Sequence, residues 1–153
     1  ADDGVLVDSE ARTGVGSITT LRLHGDHAAE LLPLVEAGEV VTPTGKQRID
    51  PDASGVDRAS GPRPVLALFA VDRPGEDDDV DVTRCGAAES ADVIVRSFFS
   101  PPGSVAESLA YLELASSIAS WLPVFRLTYP RDRARLDEVL DAARSAVGDV
   151  VRA

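Results

Sequence analysis

Apolar residues fall in short blocks along the chain, and their spacing switches between the strand period of two and the helix period of 3.6. Val5-Leu6-Val7 reads as a short buried strand ending at Asp8. Residues 9–17 carry Gly14 and Gly16 without periodicity and read as a loop. Residues 18–23 alternate and are partly β-branched, which predicts a strand. From Asp26, the positions Ala28, Leu31, Leu32 and Val35 follow helical spacing, with Asp26 as N-cap and Gly38 as stop. Pro33 shortens or bends that helix. Val40-Val41 and Arg48-Ile49 flank a turn containing Pro43 and Gly45, and residues 50–64 read as a surface loop.

The second half is more strongly patterned. Residues 65–71, apolar on both faces, predict a central strand. An acidic loop over 72–81 and a short strand at 80–82 follow. Residues 87–99 read as a helix. Ser104 and Glu107 form a capping box for another helix that runs to about Ser120, with Leu109, Leu112, Ala115 or Ala119, and Ile118 on its apolar face. Residues 124–127 predict a strand, and Asp132 caps a last helix through Leu136, Val139, Leu140, Ala143 and Val147. Strands and helices intermix without strict alternation, so the expected class is α/β with a mixed sheet and flanking helices. A length of 153 residues predicts a single domain over 1–153.

Charge narrows the function. There are 15 basic and 26 acidic residues, a net charge of −11, and no run of lysine or arginine. Binding to nucleic acid or to an anionic membrane works through clustered positive charge, so neither partner is expected. The longest apolar run is far too short to span a bilayer, and a cytoplasmic protein is the expectation. Cys85 is the single cysteine, which excludes an intramolecular disulfide; it reads as a small buried hydrophobe. Lys46 is the only lysine among the 15 basic residues, and methionine is absent. Arginine usage and acid excess describe the host. The missing methionine suggests a fragment or a processed chain.

Few residues carry candidate chemistry. Asp2-Asp3, just before a strand, can hold Mg²⁺ or act as a general base; a frayed acidic terminus is the plainer reading. The segment Thr42-Pro43-Thr44-Gly45-Lys46-Gln47-Arg48 is the densest signal, a turn with two hydroxyls and two cations suited to phosphate oxygens. It is not a Walker A loop, because Val40 and Gln47 occupy positions that motif needs. A solvated polar turn is the alternative. Arg22 can reach a carboxylate or phosphate, or form a surface ion pair. His24 and His27 sit three apart with no third ligand at metal-site spacing. Phe98, Phe99 and Trp121 read as core.

The ordered series of segments resembles the stretch after the P-loop in HPr-kinase-like proteins, relatives of HPr kinase/phosphorylase and phosphoenolpyruvate carboxykinase. The matching segments are Ala1-Asp2-Asp3 leading into Val5-Leu6-Val7, Leu21-Arg22-Leu23 followed by Asp26, Gly45-Lys46-Gln47-Arg48, the apolar strand at 65–71, two helices, and Pro123–Asp132. The resemblance implies the nucleotide-binding domain of that group without its N-terminal P-loop segment, and ATP-dependent phosphorylation of a serine hydroxyl on a protein or peptide. It assigns Asp2 or Asp3 as Mg²⁺ ligand and base, Lys46 and Arg48 to the transferring phosphoryl, and Thr44, Gly45 and Arg22 to nucleotide phosphate. The G-x-x-x-x-G-K-[ST] loop that the family carries upstream is not in this sequence. The expectation is therefore the C-terminal part of a kinase-like domain, active only where that loop is supplied upstream. A non-catalytic kinase-like module that binds a peptide or protein partner is the alternative, and self-association stays open.

Overall fold

The computed structural model describes residues 5–16, 21–24, 46–49, 61–71, 79–98, 100, 102–130 and 132–152. The chain divides into two compact units, Ala1–Pro64 and Val65–Ala153, and each is taken by itself.

In the first unit, β1 (Val5–Asp8) and β2 (Thr13–Gly16) form an antiparallel hairpin with Val5 opposite Gly16 and Asp8 opposite Thr13. Asp8 closes it: its Oδ1 accepts from the Glu10 and Ala11 amides at 3.0 and 2.9 Å. Arg12 completes the reversal in the left-handed region, at φ 54°. Residues 9–17, expected to be a loop, therefore include a strand, because backbone pairing with β1 outweighs the poor strand propensity of Gly14 and Gly16. Val5, Leu6 and Val7 were expected to be buried; they are 62%, 70% and 41% exposed. The expected strand over 18–23 appears as β3 (Leu21–His24), paired antiparallel with β4 (Lys46–Ile49). Lys46 and Arg48, expected in or beside a turn, are thus strand residues. The short β5 (Arg63–Pro64) ends the stretch expected to be loop and joins β2 on the side away from β1. The helix expected from Asp26 lies outside the described residues.

The second unit is a mixed three-stranded sheet with β6 (Leu68–Val71), β7 (Asp81–Arg84) and β8 (Val124–Thr128). Their order is β6-β8-β7, with β6 parallel and β7 antiparallel to β8. The residue run 65–71 was expected to be central, yet that place belongs to β8, where Val124, Phe125 and Leu127 are buried. Leu66 and Val71 are 54% and 56% exposed, as suits the margin of the described sheet.

Helix α1 (Ala87–Arg96) and helix α2 (Val105–Ala119) pack on one another. Their facing side chains Ile94, Ala115 and Ile118 join Leu122 and Val124 in the core. The capping box at α2 is present: Ser104 Oγ accepts from the Glu107 amide at 3.2 Å, and Glu107 reaches back to the Gly103 amide at 2.6 Å. Leu109 and Leu112, expected on the buried face, are 57% and 49% exposed. Helix α2 is apolar nearly all round, so hydrophobicity alone does not identify its buried stripe.

Phe125 stacks on Phe69, its register partner in β6, with ring centroids 5.3 Å apart. Asp132 caps a 3₁₀ turn (Arg133–Arg135) through the Ala134 amide at 2.9 Å, and α3 (Leu136–Arg152) follows. Phe69 shares an open apolar groove with Leu140, Ala143, Val147 and Gly148 of α3. The unit is α/β with a mixed sheet and flanking helices.

Candidate functional site

The sequence-derived site residues divide into those the structure brings together and those outside the described residues. Asp2, Asp3, Thr44 and Gly45 are in the second group. Arg22, Lys46 and Arg48 are in the first, and one antiparallel strand pair, β3 and β4, holds all three.

The β3–β4 register pairs Leu21 with Ile49, Arg22 with Arg48, Leu23 with Gln47, and His24 with Lys46. Directly opposed residues in an antiparallel ladder lie on the same face, with Cα atoms about 4.5–5.5 Å apart. Alternation along each strand then separates the strand pair into two sets of positions. Arg22, His24, Lys46 and Arg48 occupy one face; Leu21, Leu23, Gln47 and Ile49 occupy the other. The local sequences, Leu-Arg-Leu-His and Lys-Gln-Arg-Ile, impose this division through simple alternation.

Like charges directly opposite one another destabilise a sheet, by a sizeable part of the roughly 0.2–1 kcal/mol that cross-strand pairs command. The register sets an arginine position opposite an arginine position, with the chain's only lysine two positions along, in a protein of net charge −11. Linear reading placed these residues in separate segments, and only the register shows Arg22 beside Arg48.

Among the described residues there is no group of three or more His, Cys, Asp or Glu side chains arranged to hold a metal ion. No helix among them is long and apolar enough to cross a membrane. Cys85, expected to be buried, is only half-buried and lines a cleft at the start of α1, which the sequence reading missed. Phe98 and Trp121 pack against the core as expected, Phe98 edge-on to Tyr111 with centroids 4.9 Å apart, while Phe99 lies outside the described residues.

One ion pair perturbs the titration of both its members. Arg135 Nε and Nη2 donate to the two carboxylate oxygens of Glu138 at 2.7 and 2.8 Å. That hydrogen bonding lowers the Glu138 carboxyl below its ordinary value and raises the Arg135 guanidinium above its own.

The chain matches no protein-family model, no curated protein and no solved structure.

Proposed function

We propose that this chain is the part following the phosphate loop in an ATP-dependent serine kinase of the HPr-kinase-like type. The observation that carries the reading is the pairing of Arg22 with Arg48 and of His24 with Lys46. Phosphoryl transfer draws most of its rate from positioning and from positive charge near the equatorial oxygens of the transferring group. A strand-pair face with the positions of Arg22, Lys46 and Arg48 is suited to that task. In this reading the serine hydroxyl attacks the γ-phosphorus, its proton passes to Asp2 or Asp3, and the bond to ADP breaks. Mg²⁺, held by Asp2 and Asp3, would neutralise charge on the phosphate oxygens.

The resemblance supplies the order of segments, and the β3–β4 register supports the grouping of three of its residues. The test begins with the coding sequence upstream of Ala1. An in-frame G-x-x-x-x-G-K-[ST] there, followed by transfer of labelled γ-phosphoryl to serine peptides by the extended chain, is the expected outcome. Absence of that motif, together with no Mg²⁺-dependent ATP binding by calorimetry, would sink the reading.

A separate observation favours the second reading, a non-catalytic module that holds a peptide or protein. Val105, Leu109 and Leu112 lie one helical turn apart along α2, and they are 79%, 57% and 49% exposed. Such an apolar stripe on a surface helix is the kind of feature a partner covers.

A further inference from the structure

In α1 and α3, acids pair with arginines one turn away on the same helix: Asp92 with Arg96 at 2.8 Å, Asp141 with Arg144 at 3.3 Å, and Asp149 with Arg152 at 2.8 Å. Helix α2 is built differently, since none of its 15 residues is lysine or arginine. Glu107 in its first turn accepts from the Gly103 amide at 2.6 Å. Glu113, in its middle, is exposed and forms no ion pair among the described residues.

Glu113 borders an apolar stripe. It follows Leu112 directly and lies one turn beyond Leu109, so it shares their flank of the helix. Val105, Leu109 and Leu112, at 79%, 57% and 49% exposure, have the spacing of anchors by which one helix lies along another. An exposed carboxylate is well hydrated. A partner that covers the stripe strips water from it, and a carboxylate desolvated without a counter-ion is strongly unfavourable. The partner must therefore bring a cation to Glu113, because α2 holds none of its own. The charge of the whole chain points the same way: −11 attracts a cationic segment and repels a second copy of this chain.

We propose that the α2 stripe docks an amphipathic helix whose apolar face is flanked by lysine or arginine. This docking site rests on the second reading above, a module that holds a peptide or protein, and adds the charge and conformation of what it holds.

The probe is a synthetic peptide with leucine at the a and d positions of each heptad and lysine at the positions flanking them, titrated into the whole chain by calorimetry. One control peptide carries glutamate in place of lysine; a second keeps the composition and scrambles the order. Saturable one-to-one binding of the lysine peptide alone is expected. The double variant Leu109→Gln/Leu112→Gln should weaken it about tenfold, through loss of two half-exposed apolar contacts. Glu113→Gln should weaken it about twofold to fivefold at low salt and leave it unchanged at high salt, as an exposed ion pair does. All three positions are exposed, so the variants should keep the unfolding midpoint of the unmodified chain. Equal binding of the scrambled peptide overturns the proposal, as does binding unchanged in the double variant. So does sedimentation of the chain alone as a dimer that the double variant makes monomeric, since a second copy is then the occupant. Binding of the glutamate peptide in place of the lysine peptide overturns the charge assignment and leaves the peptide-holding module standing. Binding of neither removes both.

Discussion

Arg126, on the central strand β8, donates from both Nε (3.0 Å) and Nη2 (2.5 Å) to a single carboxylate oxygen of Glu89, 37 residues earlier in the chain. The pair fixes the first turn of α1 against the sheet.

Replacing Glu89 by alanine should cost about 0.2–1 kcal/mol of stability, since both side chains are 43% exposed and such pairs are screened by water and salt. Urea unfolding at low and at high salt checks this. The difference between the two proteins should shrink as salt is added; a salt-independent loss would mean that packing, not charge, is what Glu89 supplies.

Glu138 should leave a mark on the acid limb of stability. Its carboxyl is lowered in the folded chain by the Arg135 hydrogen bonds, so the unfolded chain binds the proton more readily. The pair's contribution is therefore fully present above the ordinary carboxylate value and is lost as pH falls through the lowered one. Arg135 acts in the opposite sense: its raised value matters only at strongly alkaline pH. Unfolding midpoints measured from neutral to acid pH should fall less steeply in Glu138→Gln than in the unmodified chain. Identical slopes would show that other carboxylates set the acid limb.

Gly148 sits inside α3, where glycine costs a helix about 0.5–1 kcal/mol relative to alanine. An added Cβ would approach the Arg152 Nη2 at 3.4 Å, the far end of a flexible, exposed side chain that can move aside. Gly148→Ala should thus stabilise the chain by roughly that amount. A lower unfolding midpoint in this variant would mean that the groove beside Phe69 needs the missing side chain.

How much was legible beforehand follows from what each signal measures. The capping box at Ser104 and Glu107, the extent of α2 and the strand at Val124 were all readable, because caps and short apolar blocks are local features. Which strand is central was not. Residues 65–71 look more buried than 124–127 in sequence, but burial depends on what packs on each face, and α1 and α2 cover Val124. The β2 strand escaped notice because Thr13-Gly14-Val15-Gly16 has little propensity of its own and is held by pairing. Among site residues, the residue types at Arg22, Lys46 and Arg48 drew attention, whereas their union required a register.

The register of the β3–β4 strand pair makes the sharpest prediction about the site. Arg22 opposite Arg48 is a like-charge pair, and Arg22→Glu converts it to an opposite-charge pair at the same position. If repulsion is what the hairpin pays for its cationic face, the variant should be more stable by up to about 1 kcal/mol without any ligand. A polyanion that occupies the face stabilises only the folded form, in proportion to how tightly it binds there. Inorganic tripolyphosphate should accordingly raise the unfolding midpoint of the unmodified chain and have much less effect on Arg22→Glu. The two shifts must move in opposite directions: the variant gains intrinsic stability and loses the response to tripolyphosphate. An ordinary solvated hairpin would gain the first and show no tripolyphosphate response to lose. Equal responses in both proteins would place polyphosphate binding elsewhere and remove the observation on which the kinase reading rests.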